Sequence, residues 1–220
     1  MKKYELAIFD LDGTILDTLD DLTDSMNYAL KEHGYPTRTK EEIRSFVGDG
    51  LLMLTKRAIS PETDEAVIHS VLATQKAYYK EHCADKTKPY AGILELLDEL
   101  KRADVKLAVV SNKADYAVQI LCEQYFAGMF HMMVGEKENV RKKPAPDSVY
   151  AVLDALQVEK EHAVYIGDSE VDIETAKNAG LDAVLVTWGF READFLLERG
   201  AKTMVSTVNE LKSAFIHEIY

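Results

Sequence analysis

Residues 4–14 read Tyr-Glu-Leu-Ala-Ile-Phe-Asp-Leu-Asp-Gly-Thr, a short apolar run that stops at two acids. The apolar part, residues 4–9, predicts a buried β-strand. Asp10 and Asp12 stand two residues apart, so their side chains project to the same side of an extended chain. At the carboxyl end of a strand in an open α/β sheet, such side chains face the crevice where ligands bind. The stretch therefore predicts the first strand of an α/β sheet with a ligand site at its end, although a polar turn after a strand would show the same residues.

Strand and helix patterns alternate along much of the remaining chain. Short apolar runs predict further strands at 105–110, 130–134, 163–166 and 183–186. Helical periodicity predicts helices at 92–103, 114–125, 147–156 and 172–179. This alternation is typical of a doubly wound, mainly parallel sheet with a Rossmann-like core.

A helical insert interrupts the alternation after the first strand. Apolar residues at helical spacing predict a helix that ends at Gly34, and a capping box at 39–42 predicts the start of a second. Pro61, after Ser60, predicts the start of a long third helix, because proline is tolerated in a first helical turn. We therefore expect an all-helical domain inserted into an α/β core, with boundaries at 16–87 for the insert and at 1–15 and 88–220 for the core.

The composition is that of an acidic globular protein. The 220 residues include 26 Lys and Arg against 38 Asp and Glu, which gives a net charge of −12. This charge repels nucleic-acid backbones and anionic membranes, and no apolar run approaches the ~18 residues that span a bilayer. Acids soon follow the first two lysines, which makes a poor secretory signal. We expect a cytoplasmic protein, monomer or homodimer, that binds neither nucleic acid nor membrane, with Cys83 and Cys122 as buried free thiols.

Two further motifs carry groups that suit a phosphate. Ser111 and the backbone N–H groups that follow it can hold phosphate oxygens, although Ser111 or Asn112 could instead cap the next helix. Lys143 precedes a proline and can supply a fixed positive charge beside a transferring phosphoryl group. Taken alone, however, its surroundings resemble a basic surface loop.

A third motif supplies more acids. Asp168 follows a predicted strand and is placed to bind the same ligand as Asp10. Asp172 lies four residues further on, where the helix dipole would also favour an acid. Neighbouring carboxylates repel each other unless a cation neutralises them, and Mg²⁺ prefers carboxylate, carbonyl and water oxygens. The sequence therefore predicts a Mg²⁺ site.

Together these motifs resemble a known family, the haloacid dehalogenase-like hydrolases. The four motifs appear in that family's order as Asp10-x-Asp12-Gly13-Thr14, Ser111, Lys143-Pro144 and Gly167-Asp168-x-x-x-Asp172. The helical insert resembles the family's cap domain. Within the family the chain looks most like the phosphoglycolate phosphatase group, on stretches at 10–22, 47–50, 90–92, 110–113 and 188–191.

The resemblance implies a role for each motif residue in a Mg²⁺-dependent phosphatase. Asp10 would be the nucleophile and a metal ligand. Asp12 would act as general acid and then as general base, with its backbone carbonyl on the metal. Lys143 would pair with Asp10 and the phosphate. Asp168 would complete the metal site, with Asp172 helping directly or through water.

The resemblance also implies contacts to the substrate. Ser111 and the Asn112 amide would bind the phosphoryl oxygens, with Thr14 steadying the Asp12 loop beside them. The cap would close over the site and select a small phosphorylated metabolite, with phosphoglycolate as the leading candidate. The cap residues expected to contact it are Gly48, Asp49, Gly50 and Arg57. The glycines could equally join two cap helices, and an exposed helix face would explain the arginine.

Other reactions use the same scaffold. Asp12 counts against a dehalogenase, because the dehalogenases of this family lack that second aspartate. A phosphonatase would need a cap lysine that forms a Schiff base, and the surroundings of Lys56 do not match well. A sugar-phosphate mutase, an inorganic pyrophosphatase and a non-catalytic phosphate- or metal-binding module remain alternatives.

Overall fold

The computed structural model describes residues 4–215, and the chain divides into two compact units. The larger unit comprises Met1–Leu16 with Pro89–Tyr220, and the smaller comprises Asp17–Lys88. The boundaries between the two units lie one residue later than those expected from the sequence.

A six-stranded sheet forms the centre of the larger unit. In chain order the strands of the described residues are β1 (Leu6–Phe9), β2 (Leu16–Asp17), β3 (Lys88–Pro89), β4 (Lys106–Ala114), β5 (Met132–Glu136), β6 (Ala163–Gly167), β7 (Asp182–Val186) and β8 (Met204–Val205). Of these, β2 and β3 lie outside the six-stranded sheet. The sheet has the order β5-β4-β1-β6-β7-β8, and every neighbouring pair is parallel. The predicted doubly wound parallel sheet is confirmed.

Ten α-helices complete the described fold. They are α1 (Leu19–Glu32), α2 (Lys40–Phe46), α3 (Leu51–Ala58), α4 (Glu65–His82), α5 (Ile93–Arg102), α6 (Asp115–Phe126), α7 (Asp147–Leu156), α8 (Glu170–Ala179), α9 (Ala193–Glu198) and α10 (Val208–Phe215). Helices α1 to α4 build the smaller unit, and the remaining six belong to the larger one. Among the helices of residues 4–215, none has both the length and the apolar character needed to cross a membrane.

The central strand β1 is buried along its whole length, because β4 and β6 pair with its two edges and side chains cover both faces. Leu6 and Ile8 belong to one apolar cluster with Val110 and Tyr165 of the neighbouring strands. This burial explains the apolar sequence that predicted the strand. Cys83 and Cys122 are buried free thiols, as expected.

Strand β4 extends further than the sequence predicts. The predicted strand stops at Val110, whereas β4 continues to Ala114, and its register against β5 shifts between these two residues. An irregularity of this kind re-aims side chains at the end of a strand and is common beside active sites. Ser111, Asn112 and Lys113 therefore lie inside an irregular strand end and not after it.

The start of the long helix α4 was predicted wrongly. The sequence placed it at Pro61, but the helix begins at Glu65. The Asp64 carboxylate accepts a hydrogen bond from the Ala66 backbone N–H at 2.7 Å and caps the helix there. The capping box that opens α2, formed by Thr39 and Glu42, is confirmed.

Asp21 ties the two ends of the smaller unit together. Its carboxylate is 2% exposed and accepts hydrogen bonds from the backbone N–H groups of Lys86 at 3.0 Å and Thr87 at 2.8 Å. The Thr87 hydroxyl donates a further bond at 2.7 Å. A buried carboxylate thus replaces the water that these donors would otherwise bind.

Replacing Asp21 with alanine is expected to lower the free energy of unfolding by about 2–4 kcal/mol, because buried donors lose a charged acceptor. Urea denaturation followed by circular dichroism measures the change. The matched control is Asp20→Ala, which removes only an exposed ion pair with Lys40 and should cost under about 1 kcal/mol. Equal losses of unfolding free energy in the two variants would contradict the stabilising role assigned to the hydrogen bonds of Asp21.

Candidate active site

The first acidic pair lies at the carboxyl end of β1, at the centre of the sheet. The Asp10 backbone N–H donates to the Ile166 carbonyl at 2.8 Å, which continues the ladder with β6. Gly13 then turns the chain with a φ of +82°. A Cβ at Gly13 would lie 2.3 Å from Asp168 Oδ2, so only glycine allows this loop to pack against Asp168.

Three carboxylates meet at this edge of the sheet. Asp10, Asp168 and Asp172 each place an oxygen within 4.8 Å of the others, and all three residues are buried. Asp168 follows β6, and Asp172 lies in the first turn of α8. The structure thus brings together the acids from the first and fourth motifs.

Lys143 supplies the cation at this cluster. Its Nζ lies 3.0 Å from Asp10 Oδ1 and 2.8 Å from Asp172 Oδ1, and it donates to the Tyr165 hydroxyl at 3.0 Å. The Asn112 side chain donates to the Lys143 carbonyl at 3.1 Å and accepts from its backbone N–H at 2.8 Å. The Asn112 side chain therefore fixes the backbone of Lys143. The sequence did not predict this contact.

Asp172 belongs to the charged cluster and also caps the start of α8, so both roles that its position in the sequence allowed are present. One carboxylate oxygen pairs with Lys143. The other accepts hydrogen bonds from the backbone N–H of Asp168 and from the N–H and hydroxyl of Ser169, which completes a capping box at the start of α8. A Cβ at Gly167 would lie 2.3 Å from Asp172, so that glycine makes room for this carboxylate.

Asp168 is held by the loop that follows β7. Its Oδ2 accepts from the Phe190 backbone N–H at 2.6 Å, and the Thr14 hydroxyl lies 3.3 Å from its Oδ1. The Trp188 indole donates to the Thr14 carbonyl at 3.0 Å. A Cβ at Gly189 would lie 2.4 Å from Asp168 Oδ2. Sequence reasoning missed this loop, although its tryptophan and glycine were part of the family resemblance.

Asp12 lies apart from the acidic cluster. Its Oδ1 pairs with Lys113 Nζ at 2.7 Å, and the lysine side chain is 3% exposed. The backbone N–H of Lys113 also donates to the Ser111 hydroxyl at 3.3 Å. Lys113 is a second buried cation at the site that the sequence did not single out.

The electrostatics of the cluster favour a bound cation. Three carboxylates against one ammonium leave an excess of two negative charges when all are ionised. Burial, and then the charges of Asp172 and Asp12, raise the pKa of Asp10 from 3.8 to about 6 even though Lys143 lowers it. Burial and the neighbouring Asp172 and Asp10 raise the pKa of Asp168 well above its usual value. Oxygen ligands with this excess charge fit a divalent ion such as Mg²⁺.

Lys143 stays charged in this setting. Burial by itself lowers the pKa of its ammonium, but the adjacent Asp10 and Asp172 carboxylates outweigh that effect, and the pKa lies well above 10.5. The cluster therefore holds one fixed positive charge next to Asp10.

The expected cap residues lie together in the smaller unit. Gly48 and Gly50 have φ values of 121° and 83° and join α2 to α3. Arg57 donates to the Phe46 carbonyl at 2.6 Å and pairs with Asp49. The arginine thus fastens the glycine loop, and contact of these residues with a substrate stays a prediction.

Comparison with known proteins gives the family. The model of the haloacid dehalogenase-like hydrolases matches residues 7–186. The chain belongs to this family, which confirms the resemblance seen in the motifs.

Similar proteins narrow the group. A phosphoglycolate phosphatase of Colwellia psychrerythraea is 32% identical over 96% of this chain and 96% of its own. A phosphoglycolate phosphatase of Aquifex aeolicus is 33% identical over 88% of this chain and 92% of its own. A solved structure from Lactobacillus delbrueckii subsp. bulgaricus, described as a candidate phosphoglycolate phosphatase, is 41% identical with a TM-score of 0.94, covering 98% of this chain and all of that one.

The charge excess predicts how stability responds to Asp10→Asn. A carboxyl whose pKa is raised on folding stabilises the fold below its unfolded pKa and loses that contribution as pH rises through the folded pKa. Without metal, the variant should therefore be more stable than wild type by about 3 kcal/mol at pH 8, and the difference should vanish near pH 4. Urea titrations in EDTA at several pH values measure it.

The matched control for this series is Asp98→Asn, which removes an exposed carboxylate paired with Arg102. This variant should show no comparable gain at any pH. An Asp10→Asn protein no more stable than wild type at pH 8 would contradict the repulsion assigned to the cluster.

Proposed function

We propose that the protein is a Mg²⁺-dependent phosphatase that hydrolyses a small phosphate monoester through an aspartyl-phosphate at Asp10. The observation that carries this proposal is the buried Lys143, held between Asp10 and Asp172 beside an excess of negative charge. The similarity to phosphoglycolate phosphatases makes phosphoglycolate the leading candidate substrate.

In the first step, a carboxylate oxygen of Asp10 attacks phosphorus, and the bond from phosphorus to the ester oxygen breaks. Protonated Asp12 gives its proton to the departing alkoxide. Lys143 offsets the repulsion between Asp10 and the phosphate because its ammonium already contacts that carboxylate. Mg²⁺, held by Asp10, Asp168 and the Asp12 carbonyl, would supply charge neutralisation to the phosphoryl oxygens.

In the second step, water attacks the phosphorus of the aspartyl-phosphate. Asp12, now ionised, accepts the proton of that water, and the bond from phosphorus to the Asp10 oxygen breaks. Inorganic phosphate leaves, and Asp12 is protonated again for the next cycle. One residue thus serves as acid and then as base, which divides a difficult hydrolysis into two easier steps.

The remaining motif residues are assigned supporting roles. Ser111 and the backbone N–H of Asn112 would bind phosphoryl oxygens at the irregular end of β4. Thr14, whose hydroxyl is directed at Asp168, would hold the loop of the first motif in place. Asp172 would act chiefly through Lys143, because its oxygens already carry bonds to that lysine and to the start of α8.

The smaller unit is proposed to act as the cap that selects the substrate. Its Gly48-Asp49-Gly50 loop and Arg57 would contact the part of the substrate remote from phosphorus. A substrate carboxylate suits Arg57, because a guanidinium binds carboxylates in a bidentate fashion. A mutase or a pyrophosphatase on this scaffold would differ in these contacts and would keep the same acids.

Turnover tests the chemistry directly. The wild-type protein should release phosphate from an aryl phosphate in the presence of Mg²⁺ and lose that activity in EDTA. Asp10→Asn should lose turnover by more than about 10³-fold while keeping its circular dichroism spectrum, because the nucleophile is gone. Wild-type-like turnover in this variant would remove the covalent mechanism.

A panel of phosphate esters tests the substrate class. We expect kcat/KM to be higher for phosphoglycolate than for sugar phosphates, nucleotides or pyrophosphate. Arg57→Gln should raise KM for phosphoglycolate about tenfold or more. The KM for an aryl phosphate, which has no carboxylate, should stay nearly unchanged. The matched control is Lys56→Gln, which removes an adjacent cation paired with Glu65. A marked preference for another ester, or equal effects of Arg57→Gln on both substrates, would reject this assignment and leave the phosphatase chemistry standing.

A further inference from the structure

Lys113 is a buried cation that the family motifs do not explain. Its side chain is 3% exposed, and its Nζ donates to Asp12 Oδ1 at 2.7 Å. The Asp12 carboxylate is 20% exposed and lies outside the acidic cluster formed by Asp10, Asp168 and Asp172. The site therefore contains two buried cations, Lys143 paired at the nucleophile and Lys113 paired with the proposed acid and base.

Stability alone is a poor reason for this pair. Removing a lysine from water costs several kcal/mol, and its attraction to a carboxylate often does no more than offset that cost. Replacing both members of such a pair with apolar residues of similar volume is often neutral or stabilising. The lysine is therefore better explained by its effect on Asp12, the carboxylate that its ammonium contacts.

The irregular end of β4 gives Lys113 its position. The register shift between Val110 and Ala114 falls on the segment that also carries Ser111 and Asn112. The same short segment thus contacts the backbone of Lys143 through Asn112 and the carboxylate of Asp12 through Lys113. A single stretch of strand fixes both sides of the site.

We propose that Lys113 is a positioning residue that holds the Asp12 carboxylate in the orientation needed for proton transfer to the leaving alkoxide. This inference rests on the proposed function, in which Asp12 is the general acid. Lys113 engages Oδ1, so the transferred proton is carried by Oδ2. Without the ammonium, the partly exposed carboxylate turns toward water, and the distance to the leaving oxygen is no longer fixed.

The dependence of kcat/KM on the leaving group distinguishes this role from a general structural one. An alkoxide needs a proton in order to leave, whereas p-nitrophenolate leaves without much help from an acid. The test compares the most efficient alkyl phosphate of the panel with p-nitrophenyl phosphate, at saturating Mg²⁺. Lys113→Met should lower kcat/KM by about 30-fold or more for the alkyl ester and by less than about threefold for the aryl ester.

Four further variants complete the design. Lys106→Met is the matched control, because Lys106 lies at the opposite end of the same strand and its Nζ donates to the Leu156 carbonyl at 2.7 Å, and it should affect both esters little. Asp12→Asn gives the leaving-group dependence expected when the acid itself is lost, measured as release of the alcohol or phenol in the first turnover because this variant also lacks the base of the second step. In the Asp12→Asn background, Lys113→Met should cause no further selective loss, since its effect passes through Asp12. Lys113→Arg, which keeps the charge, should recover part of the alkyl-ester activity.

The outcomes separate the two levels of the proposal. A wild-type protein without phosphatase activity would overturn the proposed function, and the inference with it. If the wild type turns over and Lys113→Met loses both esters equally, the inference about Lys113 alone is overturned. If Lys113→Met does not fold, the comparison of Lys113→Arg with wild type decides, because an equal change for both esters would again overturn it.

Discussion

The ammonium of Lys143 is the interaction on which the polar interior of the larger unit depends. It joins Asp10 after β1, Asp172 in α8 and Tyr165 in β6, while Asn112 in β4 holds its backbone. Each partner comes from a different element, so the sheet must be assembled before this charge is satisfied. Removing the ammonium would leave the Asp10 and Asp172 carboxylates buried without their counter-charge, and breaking a buried ion pair in this way typically costs about 3–5 kcal/mol.

The same cluster is left short of positive charge. Asp168 has its own bonds from Phe190 and Thr14 but no direct contact with Lys143 among the described ion pairs of residues 4–215. A Cβ at Gly13, Gly167 or Gly189 would lie 2.3–2.4 Å from atoms of Asp168 or Asp172, so these glycines make room for the acids. The fold thus crowds carboxylates together, and a bound divalent cation would relieve the repulsion that this arrangement creates.

Much of this arrangement could be predicted from the sequence, and the limits have physical causes. The apolar sequences of β1 and β6 predicted a parallel sheet, because strands that are covered on both faces consist mostly of apolar residues. Asp10, Asp12 and Asp168 were predicted because they follow strand ends, and Lys143 because it precedes a proline in a family motif. The side-chain contacts of Lys113 with Asp12 and of Asn112 with Lys143 were not predicted, because they arise from the irregular end of β4, whose register shift has no sequence signature. The start of α4 was missed because Asp64 offers a better cap than the proline before it.

The fold and family are shared with proteins named for phosphoglycolate, yet a shared fold does not fix a substrate. The excess negative charge at the end of β1 should attract a divalent cation, and the position of a bound ion shows whether it does. Diffraction from crystals grown with Mn²⁺, recorded at an energy where that ion scatters anomalously, locates it without reference to activity. We expect one anomalous peak within about 2.0–2.3 Å of carboxylate oxygens of Asp10 and Asp168. A fully occupied peak elsewhere, with Asp10 and Asp168 bound only to protein groups, would contradict it.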